Sequence, residues 1–252
     1  MQIYHDIAEW REVRRNIPDN LTIGFVPTMG NLHLGHGALV SKSTCENDIT
    51  VASIFINRMQ FNQVDDYNNY PRTLDKDIEL LEKIGVNYCL IPNEQEMYHD
   101  DYRFQIHETE FSKKLEGEFR PGHFNGVLSV VMKFFNLVKP HRSYFGEKDY
   151  QQYQLIKDMC DAYFMDIEVK SLETIREASG LAYSSRNNRL TVVEKQIAEQ
   201  YASIFLTCHT CEETMQKLQE IGIHVDYIQD YNHRRYIAVK IGDVRLIDNK
   251  KI

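Results

Sequence analysis

From residue 22 onward the chain alternates short, continuously apolar runs with longer stretches whose apolar positions recur at helical spacing. TIGFVP precedes LGHGALVSKSTCE, TVASIFIN precedes TLDKDIELLEKIG, and NYCLIP follows. Runs of this kind predict βαβ units and a parallel sheet covered on both faces, because only a doubly covered strand is apolar at successive positions. The segment 126–138 carries apolar residues at 127, 131, 134, 135 and 138, a helical stripe that faces a core. SYFG at 143–146 reads as a strand running into the helical DYQQYQLIKDMCDAYF, and MDIEVKSLETI supplies a further strand that completes the sheet.

After about residue 174 the pattern changes. Two helix-like stretches, VVEKQIAEQYASIFL and CEETMQKLQEIG, precede alternating HVDYIQDY, RYIAVKI and VRLID. Alternation with period two predicts half-buried antiparallel strands, so this end reads as a small α+β domain. The expected organisation is a larger α/β domain over 1–174 and a smaller domain over 175–252. No internal repeat, low-complexity tract or Pro/Gly/Ser-rich linker interrupts either part.

Composition narrows the function more than the fold. Of 252 residues, 42% are hydrophobic and 26% charged, which provides a sizeable core and argues against wholesale disorder. Asp and Glu exceed Lys and Arg by 37 to 29, a mildly acidic balance that disfavours general nucleic-acid binding. A local positive pocket for a small anion stays open. No apolar run approaches the roughly 18 residues that span a bilayer, and MQIYHDIAEWREVRR is charged where a signal peptide is apolar. A cytoplasmic protein with no membrane partner is expected. The five cysteines, at 45, 89, 160, 208 and 211, do not read as a disulfide framework. CHTC at 208–211 has metal-pair spacing but lacks the second pair that zinc requires.

The densest chemistry lies in PTMGNLHLGH, between the first buried-strand pattern and a helix. In open α/β sheets ligands bind outside the carboxyl ends of strands. Gly30 and Gly35 permit close backbone approach there, and the free N–H groups and positive end of the following helix favour phosphate. His33 and His36 add donors for phosphate oxygens that gain charge in a transition state. Such a pair can also hold a metal, but the strand-to-helix setting favours nucleotidyl transfer. The segment lacks the P-loop and the GxGxxG fingerprint, which removes the main support for ordinary kinases and dehydrogenases.

Asn57 and Gln60 follow the next strand; neutral amides there suit a small polar molecule, and a polar turn accounts for them equally. Arg120 and His123 lie in RPGHFNG, and Gly146, Glu147, Lys148 and Asp149 again pass from strand to helix. The lysine suits phosphate and the aspartate a ribose, although a solvated charged turn would look the same. Ser184, Ser185 and Arg186 match a phosphate clamp, with helix capping as the alternative for the serines.

These segments, taken in order, closely resemble the pantoate–β-alanine ligase (pantothenate synthetase) family. PTMGNLHLGH is similar to the family's PTMGALHEGH, FINRMQF to FVNPTQF and NYPRTL to YPRTL, while RPGHFNGV, FGEKDYQQ, SGLAYSSRN and RLIDN also match, so nearly the whole chain is covered. The resemblance implies a Rossmann-like domain of the HxGH nucleotidylyltransferase type with a smaller α+β carboxyl-terminal domain that covers the site. It implies ATP contacts at Met29, Gly30, Asn31, Leu32, His33, Leu34, Gly35 and His36, at Gly146 to Asp149, and at Ile175, Tyr183, Ser184, Ser185 and Arg186. His36 takes the proton-donor role, with His33 and Lys148 beside the phosphates. Gln60 and Gln152 match the pantoate-contacting glutamines, Gln60 near the β-alanine site as well, and Asn57, Arg120 and His123 complete the expected substrate set. Magnesium, without assigned protein ligands, and a homodimer are also implied.

Arg58 departs from the family's proline, Ser179 from an aspartate and Tyr183 from a methionine, and the carboxyl-terminal domain is shorter than usual. Arg58 is expected to point to solvent, since a long cation loses little by staying hydrated. Two rival functions stand beside ligation. One is an HxGH enzyme that transfers AMP to a phosphate and stops; the other is a nucleotide-binding regulatory module without turnover.

Overall fold

A computed structural model describes residues 1–252. The chain divides into two compact units, 1–146 with 151–172, and 147–150 with 173–252. A contiguous reading of the chain cannot anticipate the short piece, 147–150, that leaves one unit for the other.

In the first unit the elements run β1 (Gln2–Tyr4), α1 (Ile7–Asn16), β2 (Ile23–Thr28), α2 (Leu34–Glu46), β3 (Ile49–Ile54), α3 (Val64–Asn68), α4 (Leu74–Ile84), β4 (Tyr88–Leu90) and α5 (Glu94–Met97). They continue through α6 (Glu116–Phe119), α7 (His123–Val138), β5 (Arg142–Gly146), α8 (Tyr150–Ala162) and β6 (Glu168–Leu172), α8 beginning one residue before this unit resumes. The six strands form one parallel sheet in the order β1-β4-β3-β2-β5-β6. β3 is buried at every position, the mark of a central strand covered on both faces. Trp10, Phe25, Val51, Phe134 and Phe135 share one core cluster, and Val26, Val40, Ala52, Leu81 and Tyr144 form another. Successive residues of β2, Phe25 and Val26, therefore serve opposite faces, as the strand's period of two requires.

Element ends follow local chemistry. Asp6 caps α1 by accepting from the N–H groups of Ala8 and Glu9. Gly85 ends α4 in the left-handed region at φ +93°. The apolar pattern before residue 22 is too brief to reveal β1, whose three residues are defined only by pairing with β4.

The second unit carries α9 (Val192–Thr207), α10 (Cys211–Glu220) and the antiparallel strands β7 (His224–Tyr231), β8 (Arg234–Ile241) and β9 (Val244–Lys251), in the order β7-β8-β9. Thr191 and Glu194 close a reciprocal capping box at the start of α9. Ala198, Tyr201, Phe205, Leu218, Ile237 and Val239 form its core. The α/β sheet and the small α+β sheet are the architecture the hydrophobic pattern predicts. No helix is long and apolar enough to cross a membrane.

Strand order positions the site. Successive strands are added on one side of β2 as far as β4, and then on its other side from β5. The crevice outside the carboxyl ends of β2 and β5 is thus the point where the sheet reverses its growth, where open α/β sheets bind ligands.

Candidate active site

At the carboxyl end of β2 the chain turns through Gly30 at φ +77° and Asn31 at φ +49°, two successive left-handed residues. Asp77, buried on α4, holds them in place. Its carboxylate accepts from the Asn31 N–H at 2.8 Å and the Leu32 N–H at 2.7 Å, and the Thr73 hydroxyl lies 3.1 Å and 3.2 Å from its two oxygens. His33 then caps α2: its Nδ1 accepts from the Gly35 N–H at 3.2 Å, while Nδ1 of His36 accepts from the His33 N–H at 3.3 Å. The two rings lie 4.0 Å apart between centroids. Because both Nδ1 atoms accept, each neutral imidazole carries its proton on Nε2 and presents it as a donor.

This changes one expectation. The N–H groups of Asn31, Leu32, His33 and Gly35, taken from the sequence as free for phosphate, are engaged within the turn. The two imidazoles and the positive end of α2 are its anion-directed features.

Gln60 ends a short 3-10 turn, Arg58–Gln60, after β3. Its Nε2 lies 2.9 Å from Sδ of Met29, the first residue of the nucleotide-type loop. Its backbone carbonyl is clamped by Nδ1 of His123 at 2.7 Å and Nη2 of Arg120 at 3.3 Å. Gly126 lets α7 pass close behind, since a Cβ there would sit 2.5 Å from the Gln60 nitrogen. Asn57 is wholly buried, with Nδ2 donating to Gly126 O at 3.0 Å and to Oε1 of Gln60 at 3.2 Å, and Oδ1 accepting from the Tyr98 hydroxyl at 2.7 Å. Arg58 is exposed and lies 5.5 Å from the Tyr67 ring centroid, a solvent-facing stacking position. Gln152 is half-buried in the first turn of α8, and Leu34 is exposed at the start of α2.

In the second unit, Glu147, Lys148 and Asp149 form a single 3-10 turn. The Arg234 guanidinium, itself buried, meets the Glu147 carboxylate at 2.8 Å and lies 3.7 Å from the Tyr150 ring centroid. Nδ2 of Asn249 donates to the carbonyls of Glu147 and Lys148, both at 2.8 Å. The Lys148 ammonium stands 3.6 Å from Asp149. Ile175 and Tyr183 are brought together by a backbone hydrogen bond of 3.1 Å. Ser184 caps the 3-10 helix Ser185–Arg189 by accepting from the Arg186 N–H, so the capping alternative describes that serine.

Within the first unit, then, the fold joins Met29 to His36 with Asn57, Gln60, Arg120 and His123; within the second it joins Glu147 to Asp149 in one turn and Ile175 with Tyr183. Three supporting residues escaped the motif reading, Asp77, Tyr98 and Arg234; a fourth, Asn249, closes the matched RLIDN but carried no assigned role. For Asp77 and Arg234 the available signal was a charge at a core-facing position of a helix or strand, a placement that demands a partner.

The parallel sheet, its reversal point and an imidazole-capped helix define a nucleotide-binding α/β protein of the HxGH type. The chain matches the pantoate–β-alanine ligase family over residues 2–251 and belongs to that family. It is 54% identical over 249 residues to a pantothenate synthetase of Legionella pneumophila (strain Lens), covering 99% of both chains. A Coxiella burnetii (strain RSA 493) pantothenate synthetase is 49% identical, with 98% of this chain and 96% of the relative covered. The fold superposes on the crystal structure of a Francisella tularensis pantoate–β-alanine ligase complexed with β,γ-ATP and β-alanine, at TM-score 0.96 and 40% identity, covering 100% of this chain and 97% of the other. A Thermus thermophilus pantothenate synthetase superposes at TM-score 0.92 and 35% identity, covering 100% and 99%.

Proposed function

We propose that this protein condenses pantoate with β-alanine at the expense of ATP. The observation that carries the reading is the contact of Gln60 with Met29, which sets a neutral amide against the first residue of the imidazole-bearing nucleotide loop. A small hydroxy acid held by that amide lies next to a bound triphosphate. Its carboxylate attacks the α-phosphorus, the bond to the β-phosphate oxygen breaks, and pyrophosphate leaves from a pantoyl adenylate. The β-alanine amine then attacks the acyl carbon, loses a proton and expels AMP. Activation is needed because a free carboxylate resists nucleophiles.

His33, His36, Lys148, Ser184, Ser185 and Arg186 offset charge on the phosphates. Met29 to Leu34, Gly35, Gly146, Glu147, Asp149, Ile175 and Tyr183 line the nucleotide, and Gln60 and Gln152 hold pantoate. Neutral amides suit that task, since a direct guanidinium or ammonium would stabilise the attacking carboxylate in its ground state. Arg120, His123 and Asn57 act on the substrate through Gln60, which all three hold. Magnesium, when bound, screens the phosphates. No three acidic, imidazole or thiol groups converge to hold an ion, which fits a cation carried chiefly by phosphate oxygens and water. We further propose a cytoplasmic homodimer with no nucleic-acid or membrane partner, in keeping with the family resemblance and five free cysteines.

Product identification with ATP, magnesium, pantoate and β-alanine, omitting each in turn, tests the reading. Pyrophosphate should form from ATP and pantoate alone, about one per enzyme, whereas repeated AMP release should require β-alanine. ADP and phosphate as main products would mean γ-phosphoryl transfer and overturn it.

A further inference from the structure

The hydrogen bonds behind Gln60 have a determined direction, and it can be read from the one partner whose role cannot change. The Gly126 carbonyl accepts only, so the Asn57 group facing it at 3.0 Å must be the NH2. The Asn57 oxygen therefore faces Tyr98, whose hydroxyl must donate across the 2.7 Å contact. The second Asn57 N–H points at Gln60, 3.2 Å away, which obliges Gln60 to present its oxygen there. The far end of the Gln60 amide accordingly carries the NH2, beside Met29, and offers donors only. Asn57 and Tyr98 are both buried, so an amide turned the wrong way would leave unpaired polar groups without water, at about 1–3 kcal/mol for each. Burial also pushes the Tyr98 phenol well above its ordinary pKa, which keeps it a neutral donor.

We propose that Tyr98 is a positioning residue which, together with the Gly126 carbonyl and through Asn57, locks Gln60 with its NH2 end, one N–H of which meets the Met29 sulfur, toward the substrate, so that this subsite selects an oxygen acceptor such as a carboxylate or an unprotonated hydroxyl oxygen. The proposal rests on the ligase reading, with pantoate as the probe. Neither Tyr98 nor Asn57 needs to touch the substrate for this. Asn57→Asp is the sharpest test, because a carboxylate of the same shape accepts where Asn57 donates. Gln60 must then turn its NH2 inward and show its oxygen to the pocket. Tyr98→Phe keeps the ring and removes only the donor.

Steady-state kinetics at pH 8 should show the pantoate KM raised about 30-fold or more in Asn57→Asp and about three- to tenfold in Tyr98→Phe, with the ATP KM within about threefold of the unaltered enzyme in both, on the scale of one or two lost hydrogen bonds. In protein labelled with 15N at glutamine and asparagine, the Asn57 amide protons should exchange slowly with solvent. The Gln60 amide signals should shift on titration with pantoate in the unaltered enzyme. If Asn57→Asp does not fold, Tyr98→Phe and the amide signals decide alone. An unchanged pantoate KM in Tyr98→Phe, equal rises for pantoate and ATP, or Gln60 signals indifferent to pantoate would overturn the proposal. A failure of the ligase reading looks different: the unaltered enzyme would itself release no pyrophosphate from ATP and pantoate.

Discussion

The chain leaves β2 and β5 in the same way, through a short turn into a helix, yet the two turns are held by opposite hydrogen-bond chemistry. After β2 the holding group is an acceptor: the Asp77 carboxylate takes the N–H groups of Asn31 and Leu32. After β5 the holding groups are donors, since Asn249 grips the carbonyls of Glu147 and Lys148 while Arg234 grips the Glu147 carboxylate. The first turn has its own unit behind it, and the second belongs by its contacts to the smaller one. Similar strand-to-helix motifs therefore do not imply similar support. An acid engaged with N–H groups fixes a loop that presents imidazoles, whereas donors engaged with carbonyls fix a loop that presents an ammonium.

Removing the presented groups should have the largest effect and should not distinguish the two turns. His33→Ala, His36→Ala and Lys148→Ala are each expected to slow pyrophosphate formation by about 100-fold or more while the variants stay folded. Single-turnover adenylation, with circular dichroism as the fold control, measures this; an unchanged rate in a folded variant removes that residue from the phosphate role.

Altering the supports separates the turns. In Asp77→Asn the amide can accept from only one of the two N–H groups and opposes the other with its NH2, so the first turn should loosen. Adenylation should fall about 10- to 30-fold, equivalent to about 1.4–2 kcal/mol of barrier, with urea unfolding showing a loss of about 1–3 kcal/mol. Arg234→Met should act at the second turn and on ATP. About a three- to tenfold weaker ATP affinity, with pantoate affinity within about twofold, is expected by calorimetry, because the guanidinium holds both the Glu147 carboxylate and the Asn249 amide oxygen, and its loss leaves only the Asn249 NH2 on the two carbonyls. Equal damage to both ligands in either variant would erase the distinction between the turns.

The smallest effect belongs to Arg58→Pro. Arg58 opens a 3-10 turn and faces solvent over Tyr67. Proline is tolerated at the first position of a helical turn and restricts the unfolded chain, for about 0.4–1 kcal/mol of gain, while the lost exposed cation–π contact costs about 0.5–1 kcal/mol. Stability should change by less than about 0.5 kcal/mol, and pantoate kinetics should stay within about threefold; a tenfold rise in turnover would show that the guanidinium reaches the substrate.

Much of the fold is legible because the elements that matter have strong periods. LGHGALVSKSTCE is the whole of α2, the buried run ITVASI is β3, and the three alternating segments near the carboxyl end are β7, β8 and β9. Each follows from which faces of a strand or helix lose water, a property carried by neighbouring residues. The motifs likewise single out His33, His36, Gln60 and Lys148 as candidates, although for Gln60 and Lys148 a polar or charged turn reads the same in the linear text.

What the linear text could not decide is the direction of the hydrogen bonds. Asp77 meets a loop 45 and 46 residues away, Tyr98 lies 41 residues from Asn57, and Asn249 lies 101 and 102 from the carbonyls it holds. Free N–H groups read from a helix start turn out to be engaged by such a partner, and an amide that looks free to offer either end is held to one. Hydrophobic periodicity is a local quantity, written within a few residues, but the pairing of buried polar groups depends on which distant atoms the packed chain places within about 3 Å, and burial then makes that pairing obligatory. Sequence alone thus determined the layers, the order of the elements and the types of group at the candidate site; the tertiary structure decided which partner each polar group meets and with which end.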